Sequence, residues 1–274
     1  MQAIILAAGQ GTRLRPLTDS CPKCLVEVRG KPILQYQLES LSEAGVRECI
    51  IVVGHRATQV RNAFGTRFRD LSIKYVENRI FDRTNNIYSH WLARRQITED
   101  TMLLEGDLVF ESGLLTDLRK NPWENVAVVD RYQPFMNGTI IQAHNDRASA
   151  MVLKRDQSPG FDYGSALKTV NIYKFSRQAI RNELMPALGK YISHGLTNHY
   201  YEIVISRAIA DGAIRLHVLR AGSRAWAEID TGEDLANAER MHFAPTLRVL
   251  AHHESPEAWH LIAEDNYQAT KRTT

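Results

Sequence analysis

Residues 1–32 read MQAIILAAGQGTRLRPLTDSCPKCLVEVRGKP, and the rest of the chain can be placed around them. Ala3 to Leu6 form an apolar run too short, and too closely bounded by small residues, for a helix, so a buried strand is expected there. The run ends in Ala7-Ala8-Gly9, and Gly11, Thr12 and Arg13 follow, with Lys23 further on. Glycines and small residues after a strand remove the bulk that would keep a ligand away from backbone N–H groups. Arg13 adds a planar cationic fork and Lys23 a point charge. This combination suits a polyphosphate. Neither usual phosphate motif fits: there is no G-x-x-x-x-G-K-[ST], and Leu14 stands where a dinucleotide fingerprint has its third glycine.

Outward from that loop, strand and helix patterns alternate, which predicts an α/β protein with a mostly parallel sheet and helices on both faces. Strands are expected at Glu48 to Val53, Ile73 to Val76, Met102 to Leu104 and Val126 to Asp130. Helices are expected at Ile33 to Ala44, Ala57 to Phe64 and Ser112 to Lys120. Gly138 to Lys154 reads as a hairpin or an irregular excursion. Beyond it come strands at Leu167 to Phe175, Ile214 to Leu219 and Ala225 to Ile229, and helices at Arg177 to Leu188, Tyr200 to Ala210 and Thr231 to Met241. Thr231 is the expected N-cap of the last helix. In open α/β sheets ligands collect beyond the carboxyl ends of the strands, so the Gly9 to Lys23 loop, Gly54, Glu77-Asn78 and Asp107 can face one cleft.

Composition narrows the classes of function. With 274 residues the chain can bury a sizeable core. Its formal charge of +3 is small and the basic residues are scattered, which argues against nucleic acid and against a polybasic membrane contact. No charged-then-apolar leader opens the sequence, and no apolar stretch approaches the roughly 18 residues that span a bilayer, so a cytoplasmic protein is expected. Cys21, Cys24 and Cys49 make an odd count that does not read as a disulfide framework. Cys21-Pro-Lys-Cys24 spells C-x-x-C, but no second cysteine pair completes a zinc site.

The string L-A-A-G-x-G-T-R-L-x-P-L-T, followed by P-K-C-L-V and G-K-P-I-L, resembles the amino-terminal signature of the nucleotidyltransferases that make nucleotide-activated sugars and alcohols. The resemblance runs from Gln2 to Leu34. It implies a Rossmann-like open mixed sheet of the nucleotide-diphospho-sugar transferase type. It also implies a nucleotide side built from Leu6, Ala7, Ala8, Gly9, Gly11, Thr12 and Gly106, with Arg13 and Lys23 neutralising the triphosphate. Asp107, in Leu-Leu-Glu-Gly-Asp, matches the family's metal-holding aspartate, and Trp226-Ala227-Glu228-Ile229-Asp230-Thr231 resembles the late motif whose aspartate completes that site. Mg²⁺ is the expected ion. Glu228 and Asp230 point the same way along a strand, so both can reach the cleft. Lys168 stands where the family has a cation near the acceptor phosphate.

Base and acceptor are read from two further stretches. Glu77-Asn78-Arg79-Ile80-Phe81-Asp82-Arg83-Thr84-Asn85-Asn86-Ile87-Tyr88-Ser89 lacks the small-residue stretch of the sugar branch. Its Asn-Asn-Ile-Tyr-Ser string resembles the branch that activates phosphocholine and small phosphonates with CTP. Glu77, Asn78, Thr84, Asn85, Asn86 and Ser89 therefore join the expected nucleotide side, although helix capping by Asn85 is a competing use. His199-Tyr200-Tyr201-Glu202 lies where that branch supplies aromatic groups and an acid, so Tyr200, Tyr201, Glu202 and Glu228 are expected at the acceptor. Phe135 and Asn137 complete the set, but they replace a tryptophan and an aspartate common in that branch. That exchange favours a neutral or hydroxylated phosphonate or phospho-alcohol over choline.

The implied activity joins CMP from CTP to a small phosphate- or phosphonate-bearing acceptor and releases pyrophosphate. Two alternatives are a sugar-1-phosphate nucleotidylyltransferase using another triphosphate and a catalytically silent nucleotide sensor. Residues 1–241 form the expected catalytic domain and 242–274 a helical or partly frayed extension. For that extension, a homodimer contact and a remnant junction to a further domain are the two readings left open.

Overall fold

The structure, a computed structural model, describes residues 1–243. The extension expected at 242–274, with its helices at 247–265, lies outside the described residues apart from His242 and Phe243. Four parallel strands carry the first half: Thr101–Glu105, Gln2–Ala7, Glu48–Val53 and Leu71–Glu77, in that spatial order. The ten-stranded sheet continues beyond Thr101–Glu105 through Ala166–Phe175, antiparallel to it, then Val126–Arg131, His217–Arg220 and the hairpin Ile140–His144 with Arg147–Val152. Arg67–Phe68 closes the other edge.

Alternate residues of the first strand face opposite cores. Ala3 and Ile5 pack with Leu34, Leu38 and Leu41 of the helix Ile33–Glu43, and with Val60, Leu115 and Leu118 of Ala57–Phe64 and Gly113–Lys120. Ile4 and Leu6 pack on the other face with Ile87 of Asn86–Leu92, Leu188 of Met185–Ser193, and Val204 and Ile205 of Glu202–Ala210. This two-sided burial is why the strand has no polar face, and a fully buried leucine there stabilises by about 1.5–3 kcal/mol.

Three expectations are adjusted and one holds. The helix expected at Arg177 to Leu188 continues to Ser193, with a wider turn over Ile180–Leu184 just before Pro186, whose missing N–H cannot continue a regular ladder. The hairpin reading of Gly138 to Lys154 holds. The strand expected at Ala225 to Ile229 is Trp226–Glu228, and it leaves the main sheet to pair antiparallel with Leu108–Phe110. The long strand Ala166–Phe175 carries a register break between Thr169 and Tyr173, where Asn171 takes φ 60°, a left-handed conformation asparagine tolerates better than most residues.

The registers align the strand ends. Leu6 lies opposite Glu105 and Val52, and Ala7 and Glu77 both lie opposite Val53. Ala8, Gly54, Asn78 and Gly106 therefore open onto one edge.

Candidate active site

Close approach of backbones builds the floor of the site. A Cβ on Gly54 would lie 2.6 Å from Ala8 O, and one on Gly106 would lie 2.8 Å from Leu6 O and Ala7 Cα. Gly11 takes φ 65°, and a Cβ there would stand 2.9 Å from Lys23 Cβ. Thr18 Oγ1 donates to Gly11 O at 2.7 Å, and Leu14 N donates to the same oxygen at 2.9 Å. Leu14 itself is buried in a small core with Val26, Val28, Ile33 and Ile229. The third glycine of a dinucleotide loop is absent because this position anchors the loop from below.

Lys23 gathers the two distant aspartates. Its Nζ donates to Asp107 Oδ2 and to Asp230 Oδ1, each at 2.6 Å, so these oxygens are at most twice that distance apart. Arg13 Nη2 lies 2.8 Å from Asp230 Oδ1. Asp107 sits in the turn between Thr101–Glu105 and Leu108–Phe110, and buried Gln37 clamps that turn by donating to Glu105 O and Leu108 O, both at 2.9 Å. Asp230 arrives because Glu228 pairs with Leu108 and Ile229 N donates to Asp107 O at 2.9 Å. Thr231 caps the helix Gly232–Arg240 in a reciprocal box with Asp234, which leaves the Asp230 carboxylate for the cleft.

Charge balance follows from this packing. Burial would lift the Asp230 carboxyl, but Lys23 and Arg13 outweigh it and hold it below the usual range. Burial works against the Lys23 ammonium, yet Asp107 and Asp230 together keep its proton more tightly held than in water. Asp107 Oδ1 is buried and has no hydrogen-bond partner. An orphaned anionic oxygen on the cavity wall, beside a second carboxylate, fits a hard divalent cation that takes one or two carboxylates and fills its shell with phosphate oxygens and water. Among the described residues no group of three or more His, Cys, Asp or Glu side chains forms a self-sufficient metal cage. The donor set therefore suits an ion that arrives with a polyphosphate.

A cavity of about 1210 Å³ opens at this cradle. It is lined by Leu6, Ala7, Ala8, Gly9, Gly11, Thr12, Arg13, Lys23, Asn78, Thr84, Asn85, Asn86, Ser89, Gly106, Asp107, Phe135, Asn137, Lys168, Tyr200, Glu202, Glu228 and Asp230, all expected from sequence. Two expected residues are not brought to it. Glu77 ends its strand facing Arg61, with which it pairs at 2.9 Å, and the cleft receives the next residue, Asn78, instead. Tyr201 is 1% exposed and turns into the core, edge-on to His90 and Tyr173, because one step along the chain there rotates it away from Tyr200 and Glu202.

The asparagines hold the walls. Asn78 Nδ2 donates to Thr84 Oγ1 at 3.0 Å and Ser89 Oγ at 3.1 Å, while its Oδ1 accepts from Ile80 N. Asn85 caps its helix by accepting from Asn86 N at 2.8 Å. Asn86 Nδ2 donates to Glu105 Oε1 at 2.8 Å, and its Oδ1 accepts from Tyr201 N at 2.9 Å. On the other side Lys168, 2% exposed, donates to Thr169 O at 2.8 Å and lies 3.6 Å from Glu228 Oε2. Burial pushes the Glu202 carboxyl up to about 7 and raises that of Glu228, with Lys168 opposing both.

Sequence reasoning missed Gln37, Glu105, Phe81 and Asn171 as parts of this site. Glu105 and Asn171 left a signal, an acid ending an apolar strand and an asparagine interrupting one; Gln37 left none, since its partners are carbonyls 68 and 71 residues away.

Residues 2–235 match the nucleotidyl transferase family. Over 246 residues the chain is 35% identical to the CMP-5'-(3-aminopropyl)phosphonate synthase of Streptomyces rubellomurinus, covering 89% of this chain and 39% of that protein. It is also 35% identical over 126 residues to the choline-phosphate cytidylyltransferase of Streptococcus pneumoniae, covering 46% of this chain and 53% of that one. The chain thus spans about half the length, or less, of these two relatives. Among solved structures, the CTP:phosphocholine cytidylyltransferase of Streptococcus pneumoniae superposes with a TM-score of 0.73 at 23% identity, covering 87% of this chain and 97% of that one, a likeness of fold. With a family match over most of its length and the glycine loop, lysine and paired aspartates in one cavity, the chain belongs to the nucleotidyl transferase family.

Proposed function

We propose that this protein is a Mg²⁺-dependent cytidylyltransferase that joins CMP from CTP to a small phosphonate or phosphorylated alcohol and releases pyrophosphate. The observation that carries the reading is the meeting of Asp107 and Asp230 on one ammonium, beside the glycine loop and with Asp107 Oδ1 unpartnered. Its choice of base and acceptor is supported by the relatives, two of which are named for CMP-phosphonate synthesis and for phosphocholine activation.

In this mechanism Asp107 and Asp230 would hold the ion, and when bound it would supply charge neutralisation for the triphosphate and Lewis-acid polarisation of its α-phosphoryl group. Backbone N–H groups of the Gly9–Arg13 loop bind phosphate oxygens, and Arg13 and Lys23 offset the charge that builds on the leaving pyrophosphate. The acceptor's phosphonate or phosphate oxygen is already anionic at neutral pH, so no protein base is needed. It attacks the α-phosphorus in line, its P–O bond forms as the bond to the bridging oxygen breaks, and pyrophosphate departs. Lys168 orients the acceptor's anionic end. Asn78, Asn85, Asn86, Thr84 and Ser89 shape the nucleoside pocket. Catalysis here is positioning and charge neutralisation.

A pyrophosphate-release screen of CTP, UTP, GTP, ATP and dTTP against phosphonates, phosphocholine and sugar 1-phosphates tests the reading. Turnover with CTP and a phosphonate or phospho-alcohol is expected. Turnover confined to sugar phosphates with another triphosphate would replace it by the sugar-nucleotide activity.

A further inference from the structure

We infer that a second cleft, beside the active cavity, binds an organic phosphate through Arg155, Lys190 and Arg207. It encloses about 450 Å³, within the usual size of a small-molecule site. The three cations come from three elements: Arg155 from the turn Lys154–Asp156, Lys190 from the helix Met185–Ser193 and Arg207 from the helix Glu202–Ala210. Basic residues that are scattered in the sequence thus line one hollow.

Their charge is not spent within the protein. Among the described residues, no acidic side chain lines the cleft. Arg155 reaches Asp156 only at 3.6 Å, with both side chains about half exposed, and such a pair contributes little. Lys190 and Arg207 have no carboxylate partner among the described residues, and Arg207 instead lies over the Tyr191 ring, 5.6 Å from its centre. A cleft lined by one sign of charge raises the local concentration of the opposite sign. His199 adds to the donors. Arg155 Nη1 lies 3.1 Å from its Nδ1, and because a guanidinium can only donate, the neutral His199 ring carries its proton on Nε2.

The floor of the cleft selects among anions. Tyr191, Leu196 and Ile203 line it, and Leu196 is 43% exposed. Inorganic phosphate leaves this apolar surface in water. An organic phosphate covers it with its body while its oxygens meet the two guanidinium forks, whose planar geometry matches phosphate. A carboxylate brings one charge and two oxygens to three cations, so a phosphate monoester, with up to two charges and three free oxygens, is the better counterpart.

The test is calorimetric titration of the full chain with CMP, phenyl phosphate and inorganic phosphate, in wild type and in the double variant Lys190→Gln/Arg207→Gln. Both replaced side chains are exposed and neither lines the active cavity, so the fold and that cavity are retained. At least one organic phosphate is expected to bind wild type about 10-fold or more tighter than inorganic phosphate, and that binding event should weaken about 10-fold or more in the double variant. A preference for CMP points to a nucleotide as the source and a preference for phenyl phosphate to a simpler ester; either supports the site. Binding that the double variant leaves unchanged belongs to the active cavity and overturns the inference. Inorganic phosphate binding as tightly as both esters overturns it too, as does the absence of binding by all three. The cytidylyl-transfer reading is tested separately, by pyrophosphate release from CTP.

Discussion

Replacing Lys23 by Met keeps the length and packing of the side chain but removes the charge that two carboxylates share. Lys23 Nζ makes contacts of 2.6 Å to both Asp107 and Asp230, and all three side chains are less than a quarter exposed. Removing one partner of a buried pair costs about 3–5 kcal/mol, and Arg13, at 2.8 Å from Asp230 but largely exposed, offsets only a small part. At roughly 2–4 °C per kcal/mol for a chain of this size, the melting temperature at pH 7.5 should fall by about 10 °C. The loss should shrink in acid for two reasons. In wild type the depressed Asp230 value means that its stabilisation is present above the unfolded value of 3.8 and fades as pH falls through the folded one. In the variant an uncompensated carboxylate pair takes up a proton and relieves its own repulsion. Mg²⁺ should also raise the variant's melting temperature more than the wild type's, by standing in for the lost cation. Thermal melts at pH 7.5 and at about pH 3, with and without MgCl₂, read all three effects. An unchanged melting temperature, or a loss indifferent to both pH and Mg²⁺, would refute this account of the Lys23 contacts.

Gly106→Ala would force a Cβ to within 2.8 Å of Leu6 O and Ala7 Cα, so about 1–3 kcal/mol of stability should be lost in denaturant titration, together with turnover as Asp107 shifts. Gln37→Leu strips both donors from the turn that carries Asp107. A loss of about 1–3 kcal/mol is expected, with a higher Mg²⁺ requirement for pyrophosphate release. Because burial raises the Glu202 carboxyl to about 7, its contribution to stability is fully present below the unfolded value of 4.5 and is lost as pH rises through 7. Denaturant titrations between pH 4.5 and 8 should therefore show a decline on the order of 3 kcal/mol that Glu202→Gln lacks. Cys24, whose thiol burial lifts to about 12, should resist alkylation in the native protein while reacting on unfolding.

The parts of the site that were legible in the sequence are those whose chemistry is carried by local backbone need. The Gly9–Arg13 loop, Gly106 and the acid after it announce themselves because a tight approach of strands tolerates only small residues. The alternation of strands and helices was equally legible, since two-sided burial leaves continuous apolar runs such as Ile4–Leu6 and Ile50–Val53. What stayed hidden depends on partners far along the chain. The pairing of Trp226–Glu228 with Leu108–Phe110, which delivers Asp230 to Asp107, joins segments more than 100 residues apart. Glu77 and Tyr201 were misplaced by a single residue of phase, at the end of a strand and the start of a helix, where periodicity is weakest. The asparagines were found but their work was not foreseen, because an amide that could meet a base can equally bind Glu105 or a neighbouring backbone.

The central claim is that Asp107 and Asp230 jointly hold the ion on which nucleotidyl transfer depends. Pyrophosphate release from CTP, with an accepted phosphonate or phospho-alcohol and a Mg²⁺ titration, measures it most directly in wild type, Asp107→Asn and Asp230→Asn. Each isosteric change should keep the fold but lower kcat/KM at least about 100-fold, with the Mg²⁺ dependence shifted to higher concentration. Wild-type rates in both variants, or turnover that persists undiminished when the metal is chelated, would contradict it.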